Sequence, residues 1–108
     1  MKDRLFLISD AVEENLKGTY LHVRQSDRFT LPDGTLSGSL LTMMKAVRNC
    51  VEHVGIPLEE ALRMASSYPA EVMNISDRGK ILPEYKADLV VFDKDYNVEQ
   101  VFINGVTV

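Results

Sequence analysis

Three features of the sequence predict an α/β chain whose last third is a separate antiparallel β unit. Leu5-Phe6-Leu7-Ile8 is continuously apolar rather than alternating. That pattern belongs to strands buried on both faces, as in parallel sheets covered by helices. From Ser39 to Asn74, apolar residues recur at helical spacing. Beyond that, short β-branched runs alternate with turn residues. The chain therefore divides into 1–75, a strand followed by helices, and 76–108, a β segment. Its 108 residues suffice for one small domain and not for two.

Taken in order, the first strand ends at Ser9-Asp10-Ala11. It needs neighbours on both edges, and no second strand preceding a crossover helix follows to pair with it. The chain is accordingly expected to be a piece of something larger. Tyr20 to Leu31 is polar with scattered apolar positions and reads as an irregular hairpin or long loop. Pro32-Asp33-Gly34 is a turn, because Pro presets φ and Gly accepts φ > 0. Leu40, Met44, Val47, Val51 and Val54 form one helical stripe, with Ser39 as N-cap and Gly55 at C′. Pro57 suits the first turn of a second helix, where Glu59 and Glu60 face the positive end of the dipole. Leu58, Ala61, Leu62 and Ala65 make its buried face. Pro69 interrupts it, and Ala70 to Asn74 adds a short helical turn. Gly79 to Ile81, Ala87 to Phe92 and Val98 to Ile103 are strands, and Asn104-Gly105 is a hairpin turn.

Composition excludes several function classes. The formal net charge is −4, and the basic residues are spread along the chain, so no phosphate-backbone footprint for nucleic acid exists. The apolar run Leu5 to Ile8 is too short for a signal-peptide core or a membrane span, so no membrane partner is expected. Cys50 is the single cysteine. It permits no internal disulfide, and no Cys/His set has zinc spacing. With Val47, Val51 and Val54 around it, it reads as a packed thiol in a reducing, cytoplasmic protein.

Asp10 is the candidate for chemistry. It follows the C-terminal end of a buried strand, and in barrel enzymes that rim carries the catalytic groups. On the residues alone, a helix N-cap or turn aspartate is the better account of it.

Longer motifs discriminate further. Ile8-Ser9-Asp10-Ala11 and Gly34-Thr35-Leu36-Ser37-Gly38-Ser39, the latter followed by Leu41-Thr42-Met43, resemble successive motifs of one enzyme family. Glu60-Ala61-Leu62-Arg63-Met64-Ala65-Ser66, Tyr68-Pro69-Ala70 and Ala87-Asp88-Leu89-Val90-Val91-Phe92-Asp93 continue the likeness. That family is the N-acetylglucosamine-6-phosphate deacetylases, within the amidohydrolase superfamily. The β tail is weakly specific, whereas the Gly-Thr-Leu-Ser-Gly-Ser block joined to the two helical blocks is specific.

The resemblance implies that residues 1–75 are the last strand and C-terminal helices of a (β/α)8 barrel, and that 76–108 belong to a small β-sandwich domain. It implies hydrolysis of the acetamide of an amino-sugar phosphate to glucosamine 6-phosphate and acetate. It implies a divalent metal, zinc or iron, in the complete enzyme, lowering the pKa of the attacking water. Asp10 would take that water's proton and return it to the leaving nitrogen. Leu36 would line the pocket near the N-acetyl methyl group; loop packing explains it equally well. The family's metal ligands, a glutamate and two histidines, lie on earlier strands, and neither His22 nor His53 matches them. This chain is therefore expected to hold no metal, to be inactive alone and to self-associate as a homo-oligomer. A dihydroorotase-like or deaminase-like hydrolase, or a non-catalytic self-associating domain, is the alternative. Pro83-Glu84 replaces the family's Pro-Gly; a type II turn would need φ > 0 at Glu84, so a type I turn is expected there. The stretch from Asp10 to Gly34 is also shorter than in the family.

Overall fold

A computed structural model describes residues 4–11, 14, 16, 22–25 and 28–108. Three short strands, β1 (Val23–Arg24), β2 (Arg28–Thr30) and β3 (Leu36–Ser39), form an antiparallel meander. Helix α1 (Met43–Asn49) continues into a π-helical turn, Cys50–Val54, and is followed by α2 (Leu58–Ala65) and α3 (Ser67–Val72). A second antiparallel sheet, β4 (Leu89–Phe92), β5 (Val98–Ile103) and β6 (Val106–Thr107), closes the chain.

Leu5 to Ile8 departs from expectation. It makes no strand ladder, and Ile8 is 70% exposed. A strand forms only where a neighbour offers its backbone. The Leu7 amide donates to the Met64 carbonyl oxygen at 2.9 Å. That carbonyl lies in the last turn of α2, where helix geometry leaves it without an internal partner. One residue past the run, Ala11 forms a parallel bridge to Ser39, so β3 does supply a neighbour for the end of the segment.

The hairpin expected within Tyr20 to Leu31 is present where described, as β1 and β2. The Pro32-Asp33-Gly34 turn forms as expected. Gly34 donates to the Leu31 carbonyl at 2.9 Å, Asp33 Oδ1 accepts from the Thr35 amide at 2.9 Å, and Gly34 sits at φ +91°.

The helical stripe starts later and ends differently. Ser39 is in β3, and Thr42 is the N-cap, its side chain accepting from the Lys45 amide. Gly55 terminates the helix in the left-handed region, φ 81°, as expected. The widened π turn rotates the face, so Val47 is 2% exposed while Val54 is open. Pro57 precedes α2 rather than opening it. Pro69 does not interrupt a helix. It falls in the first turn of α3, where its missing N–H has no partner to lose, and the break lies at Ser66. Among the described residues the buried apolar core is Ala46, Val47, Ala61 and Met64, where α1 meets α2.

Glu60 lies in the first turn of α2, facing the positive end of the dipole as expected. It is also buried, receiving the Tyr68 hydroxyl at 2.8 Å and Arg63 Nη2 at 2.8 Å. The Tyr68 bond joins α2 to α3, and the Arg63 bond lies within α2.

In the tail, Leu89–Phe92 and Val98–Ile103 pair as expected. Asn104 and Gly105 both have φ > 0, the geometry of a type I′ hairpin. Gly79 to Ile81 is not a strand, and Ile81 is 85% exposed. Gly79 instead sits at φ +90°, where an added Cβ would lie 3.1 Å from the Ser66 carbonyl oxygen and 3.2 Å from the Ala70 Cβ. Its absent side chain lets the chain cross the α2–α3 junction. Glu84 has φ +70°, and the Tyr85 amide donates to the Leu82 carbonyl at 3.2 Å. The turn at Pro83-Glu84 thus takes the positive-φ form that the missing glycine argued against. A Pro at the first central position favours it enough to hold a glutamate there.

The Cα radius of gyration is 16.1 Å. A compact domain of this length would have about 13 Å. The chain is expanded, and Leu5, Phe6, Ile8, Ile81 and Leu82 are all exposed.

Candidate active site

Asp10 stands where the N-terminal segment meets β3. Its backbone is left-handed, φ 49°. Aspartate tolerates that region better than most residues, yet it remains disfavoured with a Cβ. The hydrogen bonds around it go to its backbone and its neighbours. The Ser39 amide donates to the Asp10 carbonyl at 3.0 Å. The Ser39 hydroxyl donates to the Ser9 carbonyl oxygen. The Ala11 amide donates to Ser9 Oγ at 3.3 Å. Among the described residues, none donates to the Asp10 carboxylate, which is exposed. A carboxylate held by its backbone and open at its oxygens can accept a proton from a bound water or return one.

β3 carries the second predicted site residue. Leu36 is 66% exposed and pairs with Thr30. The register then shifts, so that Gly38 pairs with Phe29 and Ser39 with Arg28. One extra residue, Ser37, lies in β3 at that step. Such a bulge bends a strand and re-aims its side chains, and bulges occur beside active sites for that reason. Here it separates Leu36 from the residue that grips the Asp10 segment. Gly38 is buried.

The two histidines are not brought to Asp10's segment by any described contact. His22 adjoins β1, and His53 is exposed on the π turn. His53 lines an open groove of about 550 Å3 with Lys45, Arg48, Glu52 and Tyr96. Two cations in that lining disfavour a metal there. The divalent metal implied by the resemblance does not fit the described residues taken alone, since among them no three His, Cys, Asp or Glu side chains converge. Among the described residues no helix is long and apolar enough to cross a membrane. Cys50 is half-buried at the start of the π turn.

Ser39 is the residue that sequence reasoning misplaced. It was assigned to the helix N-cap because a serine before a helical stripe usually serves there. The signal that could have found it is Thr42, a threonine closer to the helix, whose side chain accepts from the Lys45 amide.

The chain's sequence matches the Amidohydrolase family over residues 4–108. The chain belongs to that family. Within it, the chain is 32% identical over 114 residues to the N-acetylglucosamine-6-phosphate deacetylase of Haemophilus influenzae, covering 95% of this chain and 30% of that protein. It is 33% identical over 113 residues to an N-acetylgalactosamine-6-phosphate deacetylase of Escherichia coli, covering 96% and 30%. The crystal structure of the N-acetylglucosamine-6-phosphate deacetylase from Pasteurella multocida superposes with a TM-score of 0.85 at 31% identity, over 98% of this chain and 30% of that one. The chain thus spans about 30% of the length of these relatives.

Proposed function

We propose that this chain is the part of an amino-sugar-phosphate deacetylase that carries the proton-transfer carboxylate, Asp10. Residues 1–75 would be the closing strand and helices of its barrel, and 76–108 part of its small β domain. The substrate proposed is N-acetylglucosamine 6-phosphate. The observation that carries the proposal is Asp10 itself: a backbone fixed in a disfavoured conformation beside β3, with its carboxylate open. Strained residues held by their surroundings cluster at functional sites. In the reaction, Asp10 takes a proton from the attacking water and gives it to the amide nitrogen as the C–N bond breaks, base first and acid second. Leu36, exposed on the same strand as the Ser39 grip, would meet the acetyl methyl group. A cytoplasmic setting suits a chain with a single thiol.

The test is acetate release from N-acetylglucosamine 6-phosphate by the complete enzyme carrying this segment. Asp10→Asn should lower turnover by about 10²- to 10⁴-fold. The purified 108-residue chain should release none, because a lone carboxylate faces a water of pKa about 15.7. Near-normal turnover by the Asn variant would remove Asp10 from the chemistry. Ammonia release from a nucleobase, with no acetate formed, would favour the deaminase alternative.

Self-association of the chain is proposed from the exposed apolar segment at Leu5, Phe6 and Ile8, which forms no strand ladder and so offers a template for another chain. Light scattering at micromolar concentration should show a dimer or larger species. A monodisperse monomer would overturn this.

A further inference from the structure

We infer that Ser39 is the positioning residue that sets the direction of the Asp10 carboxylate, an inference that rests on Asp10 being the proton-transfer group. Two torsions aim that side chain before its own χ angles act. One is set by the peptide plane that precedes Asp10, the other by the plane that follows. Ser39 holds both planes. Its hydroxyl donates to the Ser9 carbonyl oxygen, which belongs to the preceding plane. Its amide donates at 3.0 Å to the Asp10 carbonyl oxygen, which belongs to the following one. The parallel bridge between Ala11 and Ser39 adds the register.

The hydroxyl is committed to this task. Its oxygen accepts from the Leu41 amide at 3.3 Å, which leaves its proton to point at Ser9. The helix that follows does not use it, because Thr42 is the cap. Ser39 is itself anchored by pairing with Arg28 across β2, directly after the bulge. The other hydroxyl nearby, Ser9 Oγ, accepts from the Ala11 amide among the described residues. That bond tightens the local turn but does not tie it to the sheet. A disfavoured φ at a residue with a side chain persists only when its surroundings over-determine it. Here one residue supplies side chain, amide and bridge to the task.

The test has a geometric arm and a kinetic arm. Nuclear magnetic resonance on the chain should show slow exchange of the Ser39 amide. It should also show the strong cross-peak between the Asp10 amide proton and its own Hα that positive φ produces. Ser39→Ala should abolish that cross-peak while the Ala46 and Val47 amides of α1 stay protected, and Ser39→Thr should restore it. In the complete enzyme, Ser39→Ala should lower kcat by about 10- to 100-fold with KM nearly unchanged, and Ser39→Thr should stay within about threefold of the parent. A Ser39 amide that exchanges freely in the unaltered chain overturns the inference without any variant. So does an Ala variant that keeps the Asp10 cross-peak, whatever its turnover. If instead the geometric arm holds and Asp10→Asn turns over normally, the catalytic role of Asp10 fails, and with it the positioning role in catalysis; the clip then remains as a structural contact only.

Discussion

Asp88 and Asp93 in the β tail, and Asp10 near the other end of the chain, all lie beside sharply bent backbone, yet their carboxylates are used in opposite ways. Asp88 Oδ1 accepts from the Asn104 amide at 2.8 Å and so braces the type I′ turn. Asp93 accepts from the Asp95 amide at 2.8 Å, the Asn97 amide at 2.9 Å and the Asn97 side chain at 3.2 Å. Each spends its oxygens on local structure. Asp10 is the reverse case: other groups hold its backbone, and its oxygens remain open among the described residues. A carboxylate that makes a turn has its acceptor sites filled by amides. One meant to exchange protons must keep them available, so its backbone has to be fixed by something else. Under the proposed function, that is the difference between a structural aspartate and the proton-transfer one.

The largest effect should come from exchanging the two kinds. Asp10→Asn is expected to reduce turnover of the complete enzyme by about 10²- to 10⁴-fold. Asp93→Asn, in the same acetate assay, should leave turnover unchanged. Equal losses in both would erase the distinction.

A smaller effect tests whether the tail is seated on the helices or merely follows them. Gly79 crosses the α2–α3 junction with φ +90° and no room for a Cβ against the Ser66 backbone. Gly79→Ala should destabilise the chain by about 1–3 kcal/mol, from the disfavoured backbone region and the forced displacement together. Thermal unfolding should show it as a drop of several degrees, about 4–8 °C per kcal/mol for a chain near this size. An unchanged midpoint would mean that the tail is not seated there.

The same contrast explains how much was legible in the sequence. The C-terminal hairpins could be read because their elements are local: Asn104-Gly105 fixes a turn through its own φ preferences, and the β-branched runs Leu89–Phe92 and Val98–Ile103 pair with each other. Gly79 to Ile81 and the Pro83-Glu84 turn, earlier in the tail, were not read correctly. The turn at Pro32-Asp33-Gly34 and the stop at Gly55 were legible for the same reason. Leu5 to Ile8 was not, because a strand is defined by its neighbours and an apolar run states only what it would bury. Ser39 is misassigned for a related reason: a serine before a helix has a usual local role, and here a partner distant in sequence, Ser9, takes precedence. Glu60 does lie in the first turn of α2, and its bond to Tyr68 adds a role that the first-turn pattern does not announce. Asp10 could be named as a candidate from its place after an apolar run, but what grips it could not.

The smallest effect concerns charge in the tail. The Asn97 amide hydrogen bond, the largest of the influences on Asp93, holds its carboxyl below the ordinary aspartate value, with the Asn97 side chain and the Asp95 amide acting the same way against a partial burial that opposes them. The folded state therefore prefers the ionised form more than the unfolded state does. The sign follows from linkage: a depressed folded pKa contributes stability that is fully present above the unfolded value, about 3.9, and is lost as pH falls through the folded one. Asp93→Asn removes the charge while keeping one carbonyl acceptor for the Asp95 and Asn97 amides. It also turns an amide group toward the Asn97 side chain, which can no longer donate to it in the same way. The melting temperature of the variant should lie slightly below that of the parent at neutral pH, and the gap should narrow as pH drops below about 4. Amide exchange at Asp95 and Asn97 should quicken in the parent over the same interval, while Ala46 and Val47 in α1 stay protected. A gap that stayed constant with pH would mean that neutral hydrogen bonds hold this turn, and that the charge on Asp93, unlike the open carboxylate of Asp10, has no function of its own.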